Sequence, residues 1–416
     1  MSQKTASRLY YGYIIVVFSL IIAAVAWGAQ RTFGVFLDPL IQSFHWSRAA
    51  TSLTITIQSL TTGLMAIVTG RLSDRYGARI VLTICGIFIG AGFILSSFIV
   101  NQWQLYLVQG ILVGMGLAGI MVPLMSTVVK WFTQRAVLMN GLISSGQGLG
   151  TMVVPPVAAV LITNFTWQKT YLVIGIVVLV LIVVSAQFLK QRPSNLQILY
   201  TAKKPPPKNR FNPRSYSFRE AFKTRTYWIL SVLYFIDVFI VNVFMVHIVI
   251  HVKYVLVDNG GNARIAAAAA TTILSAAAAS SIFGRVSTGI LADKFGIRWT
   301  IGIGLGFSLV FWLWVLFASQ LWMFYLGAVV FGIGGWCVGA VISPLIAEYF
   351  GLKAHGAILG AITFIGVTGG AAGPLVAGAI YDKTQSYHLA FIVCAVMCMI
   401  GLILLKFMRI PRGRIT

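Results

Sequence analysis

Charge is scarce in this 416-residue chain and acid is nearly absent: 9% of residues are charged and only eight are Asp or Glu, while 58% are hydrophobic. A soluble domain carries roughly 25% charged residues. So much apolar surface cannot be hidden from water by folding on itself, so the bilayer is the expected solvent. Only four cysteines occur, Cys85, Cys337, Cys394 and Cys398. All lie inside apolar runs without metal-ligand spacing to a histidine, and they read as small packing residues. Paired carboxylates, metal clusters and nucleophile triads are missing, so neither enzymatic chemistry nor a cofactor is expected. Gly146-Gln-Gly148-Leu-Gly150 is no nucleotide loop, since no strand precedes it and no Walker lysine follows. Such glycines in a membrane let helices approach closely.

What is present is basic and apolar. A net charge of +23 would suit nucleic acid, but the basic residues sit in short segments between apolar runs, which argues against such a partner. Lys4 and Arg8 ahead of an apolar run, with Ala24-Val25-Ala26 inside it, mimic a cleaved leader. The run is read instead as the first span, because the repeat described below needs it. Windows of about 20 apolar residues place spans near 11-36, 50-72, 78-100, 104-130, 136-162, 168-190, 226-256, 264-290, 297-319, 322-347, 356-381 and 387-409. Helix is the expected form, since no alternating barrel pattern is visible. Of 31 basic residues, 24 fall on one side of this arrangement and five on the other. The positive-inside rule then puts both termini in the cytoplasm, as in a multi-pass inner (plasma) membrane protein.

One long polar stretch, with Pro205-Pro206-Pro207 and ten basic residues from Lys190 to Arg225, divides the spans six and six. The expected organisation is a bundle over 1-190, a cytoplasmic basic linker over 191-225 lying near anionic lipid, and a bundle over 226-416. A repeat supports the division. Gly70-Arg-Leu-Ser-Asp74-Arg75-Tyr-Gly77-Ala-Arg79 returns 219 residues later as Gly289-Ile-Leu-Ala-Asp293-Lys294-Phe-Gly296-Ile-Arg298. Gly77 and Gly296 permit a tight turn with positive φ, and the aspartate can sit at a helix N-terminus and accept from arginine. The repeated loop is therefore read as a gate that latches two rocking bundles. Carriers built from such halves place the substrate near the midplane between them.

Ionisable groups at membrane depth are costly and functional by default. Arg285 lies eight residues above Asp293, about 12 Å from the boundary at the helical rise, deep enough for a shared site. A guanidinium there can hold a carboxylate in a bidentate fork; the competing reading is an arginine paired permanently with a protein acid. Asp237 lies roughly 16 Å into the seventh span. With Phe244 and His251 it shares one helical stripe, His247 standing to the side. That stripe suits proton coupling through Asp237, His247 and His251, while helix-to-helix hydrogen bonding and an interfacial position are the structural alternatives. Arg31 sits toward the outer mouth, either drawing anions inward or snorkelling to the interface. Trp336 and Gln147 are candidate cavity-lining residues, with packing as the alternative.

The paired loop resembles the signature of the major facilitator superfamily over essentially the whole chain. Tyr11-Gly12-Tyr13, the run Phe33-Gly34-Val35-Phe36-Leu37-Asp38-Pro39-Leu40 with Phe44-His45-Trp46-Ser47-Arg48-Ala49, and Trp131-Phe132, Arg135, Leu138, Gly141, Ser145-Gly146 and Gly150 look like the monocarboxylate transporter family, in its bacterial branch near oxalate:formate antiporters. The resemblance implies an all-α membrane protein of twelve transmembrane helices in two pseudo-symmetric six-helix bundles. It implies Arg285 as carboxylate partner and Arg31 at the place of a first-span lysine. The sequence departs from the pattern at Ser281, where animal members carry aspartate, near Met121, where the branch carries tyrosine, and in lacking an eleventh-span lysine. The function so implied is a secondary transporter of small organic anions, monocarboxylates foremost, by proton symport or anion exchange, acting as a monomer, with Arg285, Arg31, Trp336, Gln147 and Phe244 around the substrate. A drug exporter or other solute carrier of the same fold, and a transporter-like sensor signalling through the linker, stay open.

Overall fold

The computed structural model describes residues 11–132, 135–190, 215–260 and 262–408. Lys4, Arg8, most of the basic linker and the end of the basic tail lie outside them. Twelve helices are long and apolar enough to cross a membrane: α1 Tyr11–Phe44, α2 Arg48–Tyr76, α3 Ala78–Ser96, α4 Gln102–Trp131, α5 Ala136–Asn164, α6 Trp167–Gln187, α7 Arg225–Asp258, α8 Ala263–Phe295, α9 Ile297–Trp314, α10 Leu321–Phe350, α11 His355–Thr384 and α12 His388–Phe407. Helix satisfies each backbone group within its own segment, which lipid requires. Several helices outrun the hydropathy windows, α1 reaching Phe44 and α8 reaching Phe295, because helical hydrogen bonding continues into polar flanks that hydropathy does not count. Large side chains such as Phe283, Phe317 and Leu375 point outward, each more than 70% exposed, as a lipid-facing surface allows.

Three spans are interrupted. The first changes at Thr32, between helices Tyr11–Arg31 and Phe33–Phe44. A wide π-type turn over Tyr106–Leu112 and a break at Gly119-Ile120 divide α4, so that a fresh helix runs Met121–Trp131. The helices Leu321–Gly334 and Cys337–Phe350 make up α10, separated by Gly335-Trp336. Shifted by the 219-residue repeat, the breaks in α4 and α10 fall within three residues of each other. Interrupted helices at matching places in two halves are where a carrier exposes backbone for binding.

Packing follows the same repeat. The pairs α1 with α5 and α3 with α6 recur as α7 with α11 and α9 with α12, while α2 meets α11 and α5 meets α8 across the seam. One apolar core draws only on residues 15–189 and another only on 236–398. A third core mixes the two sets, joining Val122, Met125 and Val137 to Leu345, Ile358 and Ile362. This mixed core lies at the end of the molecule that carries Arg71, Arg75, Arg79 and Lys130, here termed the basic end. Backbones touch there: a Cβ on Gly70 of α2 would overlap the carbonyl of Gly356 in α11, and one on Gly289 of α8 would come within 2.5 Å of the Leu138 Cα in α5. Two bodies thus close on each other at the basic end, through contacts that only glycine permits.

Closure of this kind tolerates no added volume. Gly70→Val should force α2 from α11 at a cost of about 1–3 kcal/mol. Spin labels at the exposed positions Tyr76 and Lys353 should report a longer and broader distance distribution in the variant. An unchanged distribution would mean that the glycine contact does not set the closed arrangement.

Candidate functional site

The repeated loops border the closed end. Gly77 and Gly296 have φ of 90° and 94°, the left-handed region that favours glycine, and each starts the helix that follows. Asp74 reaches across the seam to the start of α11, accepting from the backbone N–H of Gly356 at 3.1 Å and of Ala357 at 3.0 Å. The residue before that helix, Ala354, has no side-chain oxygen with which to cap it, so an acid from the other body takes the task. Lys130 Nζ stands 3.8 Å from the same carboxylate. The arginines of the loop serve elsewhere, which differs from the sequence expectation that one of them pairs with the aspartate. Arg75 lies over Tyr76, 5.2 Å from Cζ to ring centre, and Arg79 donates to Gln187 at 2.8 Å, tying α3 to α6. Arg298 mirrors this by donating to the Lys406 carbonyl of α12 at 3.0 Å, while Lys294 lies over Phe295. Asp293 sits at the end of α8, between Gly289 and Gly296.

Beyond the described start of the linker's last stretch, Tyr216 N–H donates to the Phe350 carbonyl at 2.9 Å. Ser217 and Glu220 form a capping box on a short helix, Phe218–Phe222, and Arg71 of α2 lies over the Phe218 ring at 5.2 Å. This end of the linker therefore touches both bodies.

Deeper in the molecule, Arg285 of α8 is 6% exposed. Its Nη1 donates to the Ser144 carbonyl of α5, across the seam, and its guanidinium lies over the Trp336 ring, 5.8 Å from the centre. No carboxylate stands within ion-pair distance of it among the described residues. Asp237 of α7 is near enough to attract it, but that carboxylate is turned to the backbone N–H groups of Val338 and Gly339, at the start of the second half of α10. Tyr234, one turn earlier on α7, completes the group. Arg31 closes the first segment of α1 and its side chain is exposed. Its charge reaches Arg285. Gln147 is half-buried and lies one turn from Ser144 on the α5 face that receives Arg285. Trp336 is half-buried at the α10 break.

Of the remaining sequence candidates, Phe244 backs the Trp336 ring edge-on at 6.4 Å, and the two histidines lie apart. Phe244 is fully buried, stacked on Phe331 at 4.4 Å and edge-on to Phe311 at 5.4 Å, within the aromatic core. His247 and His251 lie about 15 and 21 Å along α7 from Asp237 at the helical rise. Both nitrogens of His247 are engaged, Nε2 at 3.0 Å from the Pro374 carbonyl and Nδ1 at 3.2 Å from the Tyr387 hydroxyl. A carbonyl only accepts, so Nε2 is the donor there. The ring joins α7 to α11 and to the residue preceding α12. His251 is boxed by Phe391, Phe324 and Tyr387, with ring centres at 4.9, 5.9 and 6.0 Å.

Two features escaped sequence reasoning. One is the pair of helix breaks, whose signal was present in Gly116 and Gly119 and in Gly334-Gly335. The other is a ladder of buried amides: Gln30 donates to Gln58 at 3.2 Å, Gln58 to the Gln109 carbonyl at 2.9 Å, and Gln109 to Ser96 at 2.8 Å. It ties α1, α2, α4 and α3 with the interhelical hydrogen bonds that membranes favour. Glutamine at helical spacing carries no pattern by which such a ladder could be foreseen.

Comparison with known proteins bears on the whole arrangement. The chain is 26% identical over 354 residues to the uncharacterized MFS-type transporter YhjX of Escherichia coli (strain K12), covering 84% of this chain and 82% of that protein. It is 24% identical over 424 residues to human Monocarboxylate transporter 12, covering 96% and 81%. Among solved structures it superposes on the transporter FucP in the outward conformation with a TM-score of 0.71 at 14% identity, covering 95% of this chain and 99% of that one. The human organic anion transporter MFSD10 gives 0.71 at 15% identity. The description of the Major Facilitator Superfamily matches residues 16–255 and 227–415; with twelve spans, paired loops and matching helix breaks, this chain belongs to that superfamily and is a multi-pass membrane secondary transporter, not an enzyme.

Proposed function

We propose that this transporter carries small organic anions, monocarboxylates foremost, by alternating access, with Arg285 as the anion's anchor. The observation that carries the reading is a guanidinium at membrane depth with one donor on Ser144, an aromatic ring beneath it and, among the described residues, no acid within ion-pair distance. A buried charge left without a counter-charge is strongly unfavourable, and a carboxylate guest supplies the missing partner in a bidentate fork. Arg31, exposed and within electrostatic reach of Arg285, adds a second positive charge that concentrates anions there. Gln147 and Trp336 flank the same place. Distant similarity to human Monocarboxylate transporter 12 supports the substrate class. Either a proton or a counter-anion can complete the cycle, which is the difference between symport and exchange.

The basic end is the cytoplasmic end in this reading, consistent with the positive-inside rule, and the protein sits in the plasma (inner) membrane as a monomer with both termini inside. Closure at Gly70 and Gly356, capped by Asp74 on α11, then corresponds to an outward-open arrangement. The Asp74 gate is released when the bodies rock the other way.

The purified transporter should be stabilised thermally by one or more of formate, acetate, lactate and pyruvate, and should show counterflow of the same compound in proteoliposomes. Arg285→Ala should abolish the stabilisation and cut transport by at least about 100-fold, the scale of losing a partner in a buried charged pair. Arg285→Lys should not restore it, since an ammonium lacks the planar fork. Undiminished carboxylate stabilisation in Arg285→Ala would remove the anchor from Arg285. Asp74→Ala removes a helix cap worth about 0.5–2 kcal/mol and touches the gate alone. It should change turnover while leaving apparent carboxylate affinity unchanged; a large rise in KM with normal turnover would place Asp74 in binding instead.

A further inference from the structure

The second half of α10 begins in the middle of the protein, and its first-turn amides have no partner from their own chain segment. Trp336, at the cap position, makes no side-chain capping bond, and the first turn holds no acid. Every helix start leaves such N–H groups unmet, and at membrane depth no bulk water is at hand to meet them. Asp237 of α7 brings a carboxylate to this start, on the side of the Val338 and Gly339 N–H groups. Contact is close: a Cβ on Gly339 would lie 3.8 Å from Asp237 Oδ2 and 3.9 Å from the Tyr234 ring. Negative charge at a helix N-terminus is also favoured by the helix dipole.

Immediately before this helix stands Trp336, the ring under the Arg285 guanidinium. Phe331 and Phe244 hold that ring edge-on from the other side, at 5.5 and 6.4 Å. We infer that Asp237 is a positioning residue of the anion site: by fixing the start of the second α10 helix, it holds Trp336 against Arg285. The assignment rests on Arg285 being the anion anchor. It has a consequence for selectivity, because a carboxylate turned to the α10 amides is not turned to Arg285, and the guanidinium stays open to a guest. Asp237 then acts through backbone and ring and makes no contact with the carried anion.

The test uses the full-length protein labelled with 5-fluorotryptophan, its 11 tryptophans observed by fluorine NMR and the Trp336 line assigned from Trp336→Phe. Asp237→Asn keeps an oxygen that accepts from a backbone N–H, so the Trp336 line should stay in place. Asp237→Ala removes the acceptor, so that line should move or broaden while the distant tryptophans hold theirs. A Trp336 line that stays put in Asp237→Ala overturns the inference. If the alanine variant does not fold, Asp237→Ser takes its place, with a hydroxyl too short to reach the helix start, and the same two outcomes decide. Pyruvate binding, followed by thermal stabilisation, gives a second reading. Affinity should stay within about threefold in Asp237→Asn and fall about tenfold in Asp237→Ala, a difference readily resolved. The double variant Asp237→Ala/Trp336→Ala should be no weaker than the worse single one, since both act through one ring. Loss of pyruvate binding in Asp237→Asn with an unmoved Trp336 line would make Asp237 a direct ligand and overturn the inference. The NMR reading uses no anion, so it stands or falls apart from the Arg285→Ala result on which the transport reading depends.

Discussion

A helix that begins inside a membrane protein must have its first amides met by something other than water, and this chain has very few groups with which to meet them. Eight acids serve the whole sequence, and two of them are spent on the same task in different places. Asp74 crosses from α2 to the start of α11, and Asp237 crosses from α7 to the restart of α10. In both cases the receiving helix lacks a capping side chain of its own. Asp74 caps α11 by hydrogen bonds and closes the seam between the bodies at the basic end, while Asp237 sets a carboxylate beside the α10 restart in the interior of a single body. The scarcity of acid that marks the composition thereby becomes a structural fact. Carboxylates committed to helix starts are not committed to arginines, and Arg285 is left facing a carbonyl and an aromatic ring.

Much of this fold was legible in the sequence because the bilayer imposes a long and simple signal. Twelve apolar runs can be counted, and the repeated Gly/Asp/Gly loop can be read from its spacing, with positive φ at Gly77 and Gly296. Arg285 could be singled out because a charge in an apolar run is conspicuous wherever its side chain points. Less legible was the partner of each charge. Asp74 seemed suited to the arginines beside it in sequence, yet its neighbours in space are amides 282 and 283 residues away and Lys130. A helical stripe correctly put Asp237, Phe244 and His251 on one face, but periodicity does not say what that face meets. Asp237 meets a helix start, Phe244 an aromatic core and His251 a box of rings. Helix breaks were missed for a related reason: hydropathy averages over Gly119 and over Gly335-Trp336 and returns one continuous span.

The site and the closed end are joined through a single residue. Arg285 gives its backbone carbonyl to a contact so close that a Cβ on Gly141 of α5 would come within 2.5 Å of it, and its guanidinium reaches the Ser144 carbonyl on that same helix. Any opening of the basic end that parts α8 from α5 has to separate both. In the proposed reading, a carboxylate that draws the guanidinium toward itself would weaken its bond to Ser144, which would couple occupancy of the site to the strength of the seam. By linkage the coupling runs both ways: whatever an anion contributes toward loosening that contact, the loosened arrangement returns as tighter hold on the anion. Glycine at 141 and an arginine lacking an acid partner are, on this view, two requirements of one hinge. The first lets the helices touch, and the second makes the touch depend on what is bound.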